Sequence, residues 1–269
     1  TAWFSPEDFD WDKLVCFIND YNNLSSIKEN YMTKNFSDTY FSHDICSKIG
    51  FIREDIEEKK ISKVINNREY AILLTSLLYA MDRIANTCGH YDAWRRNVDL
   101  SEQVLEMRML DAEKNLNPQN QCFNTDSNKL AENIKSDVVY LDPPYNSRQY
   151  CDAYHLVENV ARWQKPEVFG VAKKMDRTAL KSKYCTQSAP KAFDDLISKL
   201  DAKYILVSYN NMENKGNDRS NARISDEEIL SSLKKRGKVQ VFSENYKAFT
   251  TGKSNRNDNQ ERLFLCKCQ

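Results

Sequence analysis

The chain is 269 residues long, enough for one large domain or two small ones with a real core. It is 41% hydrophobic and 29% charged with only 6 Gly and 6 Pro, which excludes collagen-like, low-complexity and largely disordered classes. Lys+Arg 39 against Asp+Glu 39 cancels to zero, but the halves differ: residues 162–269 hold 22 Lys/Arg and 13 Asp/Glu, a net of +9, and residues 1–161 a net of −9. A basic half beside an acidic one fits a one-sided polyanion contact, and equally a solvated surface with chance asymmetry.

No run reaches the roughly 18 to 20 apolar residues that a membrane span needs. The start at Thr1 shows no charged-then-apolar leader and no initiator Met, so a processed or excerpted, cytoplasmic chain is expected. The eight cysteines are scattered without a C-x-x-C pair or a His at zinc spacing, so reduced, mostly buried thiols and no metal are expected.

Residues 1–66 read as short helices. From about Arg68 to Thr87, Ala71, Ile72, Leu74, Leu78, Met81 and Ala85 recur at three- and four-residue steps, a firm helix. The segment 97–120 reads as loop and ends in a polar stretch. The period then changes. Residues 121–123 suggest a short strand, 137–141 a buried strand, 191–200 a helix and 204–209 a second buried strand. Runs 238–242 and 262–268 suggest a hairpin. Apolar strands alternating with helices predict a parallel α/β sheet with an antiparallel excursion at its C-terminal end. The expected division is 1–118, mainly helical and target-recognising, and 119–269, catalytic.

Asp142-Pro143-Pro144-Tyr145-Asn146 directly follows the strand at 137–141, and ligands bind at carboxyl ends of strands in such sheets. An adenine amino group is a poor nucleophile because its lone pair is delocalised into the ring. A carboxylate at Asp142 accepting one N–H returns electron density as positive charge develops on the nitrogen. The carbonyl of Pro143, held by two consecutive fixed φ angles, can accept the other N–H. Tyr145 offers a ring for an extruded base, worth about 1–3 kcal/mol against the few that flipping costs. An isolated Asp-Pro-Pro is more often a plain turn; the strand, tyrosine and asparagine around it favour the chemical reading.

The runs 140–150, 154–159, 206–210 and 85–94 together resemble the Dam-like alpha class of DNA adenine N6-methyltransferases, nearest the branch that includes type IIS modification enzymes. The resemblance extends from about Asn30 to the end. It implies a SAM-dependent, Rossmann-like sheet and S-adenosylmethionine as methyl donor to a flipped adenine in double-stranded DNA, in restriction-modification. It assigns Asp142, Pro143, Pro144 and Tyr145 to catalysis, and Asp126, with Asp142, to the cofactor. For Asp126 a helix N-cap before Ser127 is the alternative, and the two roles are compatible. Relatives acting on cytosine often carry Ser at the Asp142 position, and RNA or glutamine methylases often Asn.

DNA contact is expected at Asn146, Arg148, Lys173, Lys174, Arg177, Lys181 and Lys183, because each neutralised phosphate adds salt-dependent affinity; a solvated helix face is the alternative for 173–184. Lys253, Arg256 and the loop 214–223 are weaker candidates. His90, Tyr91, Trp94, Arg95 and Arg96 mix aromatic and basic groups as a target-recognition segment would, although Tyr91 and Trp94 suit a core equally. His155 is expected to be structural.

One expected part is missing. The family binds its cofactor with a glycine-rich turn, yet no two of Gly50, Gly89, Gly170, Gly216, Gly237 and Gly252 lie within ten residues of each other. In the family's sheet, order 3-2-1-4-5-7-6, the strand before Asp142 pairs with strand 1. An incomplete N-terminal side of the sheet is therefore expected, with a second chain carrying the glycine-rich half. The rivals are a non-catalytic DNA-binding subunit or remnant, and a methylase of RNA or protein.

Overall fold

The computed structural model describes residues 1–25, 28–210, 221–245 and 260–269. In chain order the helices and strands are α1 (Trp11–Asn22), α2 (Tyr31–Phe36), α3 (His43–Ile61), α4 (Asn67–Ile84), α5 (Ser127–Leu130), β1 (Lys135–Leu141), α6 (Tyr150–Ala153), α7 (His155–Arg162), α8 (Ala189–Lys199), β2 (Asp201–Asn210), α9 (Asp226–Lys234), β3 (Gly237–Asn245) and β4 (Gln260–Cys268). They form two compact units, one of residues 1–123 and 150–179 and the other of 124–149 and 180–269.

The first unit is helical. Its starts are written in the sequence: Asp10, Ser42 and Asn66 cap α1, α3 and α4 with their side chains, and Asn66 with Glu69 completes a capping box. Ile45, Ile49, Ile52 and Ile56 put one buried stripe on α3. With 19 residues, α3 is longer than the short helices expected before residue 66. Two arginines are buried with it and beside it. Arg53 donates to the Val160 carbonyl of α7 at 2.8 Å and pairs with Glu57, and Arg68 donates to the carbonyls of Ala2 and Glu7. Each charge is thus fully engaged, as burial requires.

The segment 97–120 has no regular element, as expected, but it is a strap rather than a free loop. Leu105, Met107, Leu110 and Ala112 enter the helical core, and Asn22 holds the backbone of Met107 through both its N–H and its carbonyl. Residues 150–179 return to this unit, so the expected boundary near residue 118 is not the only crossing between the units.

The second unit is a four-stranded sheet of order β1-β2-β4-β3. β1 and β2 are parallel, with Leu141 opposite Val207; β2–β4 and β4–β3 are antiparallel, with Asn210 opposite Glu261. The predicted parallel pair and C-terminal excursion are therefore present. The tip between β3 and β4, with Lys253 and Arg256, lies outside the described residues, as does 214–220. α8 and α9 cover one face, where Ile205, Val207, Tyr209, Phe264 and Cys266 are buried with Phe193, Ile197, Ile229 and Leu233. On the other face Val138 and Tyr140 of β1 are 55% and 60% exposed.

Four expectations are corrected. Residues 121–123 are not a strand: all three are exposed, and among the described residues no strand pairs with them to satisfy their backbone. β1, expected to be a buried strand, has no buried residue, because it ends the sheet order and packs on one face only; the segment 173–184, where a helix face stood as the alternative to DNA contact, is an extended run with two short 3-10 turns, Thr178–Leu180 and Lys183–Cys185. The cysteines, all free, are less uniformly buried than expected, for Cys16, Cys88 and Cys122 are exposed. Among the described residues no helix is long and apolar enough to cross a membrane.

Candidate functional site

The parallel pairing of β1 and β2 puts their carboxyl ends side by side, and Asp142-Pro143-Pro144-Tyr145-Asn146 leaves the sheet there. β4 runs the other way, so its first residues reach the same end. Glu261, opposite Asn210, sits near enough to Asp142 to feel its charge. Burial, and after it the Asp142 charge, raises the Glu261 carboxyl above the usual carboxylate range. Asp142 itself is exposed, as is the Tyr145 ring at 42%. Sequence reasoning missed Glu261, because its closeness to Asp142 comes from strand register and not from any local pattern.

The backbone of the turn is clamped. The carbonyl of Tyr145 accepts from the Arg223 backbone N–H at 2.7 Å and from the Tyr209 hydroxyl at 3.2 Å. That hydroxyl in turn accepts from the backbone N–H of Ile224 at 3.2 Å. Tyr209 is buried, and burial pushes its phenol up to about 12. It therefore serves as a neutral, fixed donor. The run 206–210 had been singled out, but without a role for the tyrosine; Arg223 belonged to a loop named only as a weak contact candidate.

Past the tyrosine, the Asn146 side chain accepts from the Arg148 backbone N–H at 2.9 Å, closing an Asx turn. Gln149 and Ser182 exchange two hydrogen bonds, 3.0 and 2.8 Å, and the Cys185 thiol donates to the Arg148 carbonyl at 3.3 Å. These contacts bring Lys181 and Lys183, both exposed, beside the segment that leaves the motif. Of the basic residues proposed for DNA, Arg148, Lys181 and Lys183 therefore come together in this unit.

The others belong to the helical unit. Lys174 is ion-paired with Asp92, and Arg177 with Asp152 at 2.6 Å, so their charges are already partly used. Lys173 has no ion pair among the described residues. Asp126 caps α5, its carboxylate accepting from the backbone of Asn128 and Lys129 at 3.0 and 3.2 Å. Tyr91 is buried and its hydroxyl donates to Asp82, and the half-buried Trp94 donates to the Val171 carbonyl; Arg95 and Arg96 are exposed. His155 is buried between Tyr40 and Tyr91, Nε2 donating to the Tyr91 carbonyl at 2.9 Å, and burial pushes its pKa down to about 4.

Among the described residues the glycines do not form a cofactor cradle. A Cβ on Gly50 would strike the Asn30 side chain, and one on Gly237 the Lys267 carbonyl, so both serve close packing. No group of three or more His, Cys, Asp or Glu among the described residues is arranged to hold a metal ion.

Residues 11–218 match the family model for D12 class N6 adenine-specific DNA methyltransferases. Among similar proteins, the modification methylase StsI of Streptococcus sanguinis is 38% identical over 200 residues, covering 72% of this chain and 29% of that protein. The type II methyltransferase M.FokI of Planomicrobium okeanokoites is 35% identical over 222 residues, 80% of this chain and 33% of its own length. M.NlaIII of Neisseria lactamica is 33% identical over 231 residues, 84% and 65% respectively. The chain spans about a third of the first two relatives. No solved structure matches it. With most of its length inside the family match, the chain belongs to the D12 class of N6 adenine-specific DNA methyltransferases.

Proposed function

We propose that this chain carries the adenine-handling half of a site-specific DNA methyltransferase of a restriction-modification system. One observation carries the reading: an exposed Asp142-Pro143-Pro144-Tyr145-Asn146 turn stands at the carboxyl end of a parallel strand pair, clamped from behind by Tyr209 and Arg223, in a member of this family. The Asp142 carboxylate accepts one N–H of the adenine amino group and the Pro143 carbonyl the other, raising electron density on N6. Pro144 keeps that carbonyl fixed, and the Tyr145 ring stacks on the extruded base. Fixing the turn before the base arrives removes the cost of ordering it during reaction.

Arg148, Lys181 and Lys183 lie on the DNA phosphates beside this turn, with Asn146 shaping the turn that carries them. Lys173, Lys174 and Arg177 add to the footprint from the helical unit, in which residues 1–118 supply target recognition. The methyl donor of the family is S-adenosylmethionine. Asp126 and Asp142 are the residues proposed to face it, and the glycine-rich turn that would hold it is not among these residues. The exposed apolar edge of β1 is where the incomplete, Rossmann-like sheet would gain further strands. A second chain carrying the glycine-rich half is therefore proposed to pair there, since an open edge of this kind recruits a strand. A bacterial or phage-type cytoplasmic setting is in keeping with the relatives.

The test is transfer of a labelled methyl group from S-adenosylmethionine to unmethylated mixed-sequence DNA, with nucleoside analysis of the product. It is run with this chain alone and with an added polypeptide bearing the glycine-rich half. Label in N6-methyladenosine under either condition supports the reading. Label in cytosine, or none in both cases, contradicts it.

A further inference from the structure

The loop that follows α4, residues 85–99, has no regular element, yet its backbone is pinned to the helical unit. Asn86 is buried. Its backbone N–H donates to the Tyr40 carbonyl at 3.0 Å, and its side-chain amide to the carbonyls of Thr39 and Arg95, both at 2.9 Å. The Tyr91 N–H donates to the Ala153 carbonyl at 2.7 Å, the Trp94 indole to the Val171 carbonyl at 3.3 Å, and Asp92 is ion-paired with Lys174. The chain bends through Gly89 and Asn97, at φ +93° and +57°, in the left-handed region that Gly and Asn enter most readily.

Two exposed arginines, Arg95 and Arg96, project from this loop. Elsewhere in the helical unit Arg53, Arg83, Arg108, Arg162 and Arg177 each pair with a carboxylate, and Arg68 donates to main-chain carbonyls. The side chains of Arg95 and Arg96 have no hydrogen bond or ion pair among the described residues. The acids nearest them in sequence are spent elsewhere, Asp92 on Lys174 and Asp99 on the Ser101 N–H at 2.9 Å. A guanidinium carries five N–H donors and no acceptor, so both forks await a partner rich in acceptors. In a D12-class DNA methyltransferase that partner is the duplex.

Phosphates and base edges ask different things of a side chain. A phosphate needs only positive charge, whereas the N7 and O6 acceptors of guanine need a planar fork at a fixed place. Asn86 supplies that fixity to Arg95, because it binds the Arg95 carbonyl itself. Arg96 has no such tie among the described residues and enters the turn through Asn97. Resting on the DNA-methyltransferase reading above, we propose that Arg95 determines sequence: its fork takes N7 and O6 of a guanine in the major groove, while Arg96 takes an adjoining phosphate.

The experiment selects duplexes from a randomised pool with this chain and sequences them. The selected duplex and its single substitutions are then measured by fluorescence anisotropy over a range of salt. The parent should enrich a sequence that contains guanine. Arg95→Lys keeps the charge and removes the fork, so it should lose about tenfold or more of the preference for one guanine, with the salt slope unchanged. Arg96→Gln should weaken binding equally on all sequences and lower the slope by about 0.9. Both side chains are exposed, so the melting temperatures should hold. An Arg95→Lys chain with the parent's full preference at every position overturns the proposal, as does a loss confined to a base other than guanine. A parent that binds duplex without enriching any sequence also overturns it and leaves the methyltransferase reading standing. A parent that binds no duplex at all overturns both.

Discussion

The hydroxyl of Tyr209 donates to the main-chain carbonyl of Tyr145 at 3.2 Å. One residue ends a central strand, the other lies in the turn leaving its neighbour, and the bond fixes the turn to the sheet. The same hydroxyl accepts from the N–H of buried Ile224, so its removal strands a donor as well. Tyr209→Phe should therefore cost about 1–3 kcal/mol of stability. It should also slow methyl transfer while leaving DNA affinity within a factor of two, because the residues proposed to contact phosphate are Arg148, Lys181 and Lys183. Thermal melts, binding isotherms and single-turnover rates check the three parts; equal transfer rates would refute the clamp.

Glu261 is a second consequence of register. Its carboxyl is raised in the folded state, by burial first and by Asp142 second, so its ionisation opposes folding. The sign follows from linkage: the fold binds that proton more tightly than the unfolded chain, and stability falls as pH rises through the carboxylate range. Glu261→Gln should melt a few degrees higher than the parent at about pH 7, and the difference should close at about pH 3. A lower melting temperature at neutral pH would show that Glu261 is held by a favourable partner instead.

His155 works in the opposite sense. Its pKa falls to about 4 in the fold against 6.5 ordinarily, because burial penalises the imidazolium. The unfolded chain therefore binds the proton first. Stability from this group is complete above about pH 6.5 and is lost as pH falls toward 4, by on the order of 3 kcal/mol at about 1.4 per pH unit. His155→Gln should flatten that part of the stability–pH curve, measured by denaturant unfolding; an unchanged curve would contradict the assignment.

The basic residues beside the motif predict a salt effect. Replacing Arg148, Lys181 and Lys183 together with Gln should weaken duplex binding at low salt. The log–log salt slope should fall by about 2.7, at about 0.9 per lost phosphate contact. The loss should be the same on all sequences, since phosphates carry no base identity. A sequence-dependent loss would place these residues on base edges.

Most of the second unit was legible from the chain. Continuous apolar runs gave β1, β2 and β4, and the Asp-Pro-Pro turn could be placed at a strand end because strand and motif are contiguous. The helix α4 was legible because its apolar spacing is strict over five turns. What escaped depends on contacts distant in sequence. Tyr209 meets Tyr145 only once β1 and β2 are in register, and Glu261 comes within the field of Asp142 only once β4 pairs with β2 as well. Residues 121–123 look like a strand locally but find no neighbour to pair with. The loop at 85–99 has no regular period; its Asn86 and Trp94 are held by Thr39 and Val171, contacts across 47 and 77 residues that no local rule encodes.

The most direct test of the account is the methyl-transfer rate of Asp142→Asn against the parent, under whichever condition the parent is active. Asn keeps the shape of the side chain but removes the charge that would raise electron density on the adenine nitrogen. The account predicts a fall of at least 100-fold in single-turnover transfer, the scale of losing one preorganised electrostatic contact, with duplex affinity unchanged. Transfer by the variant within a few-fold of the parent would mean that Asp142 does not act on the adenine amino group.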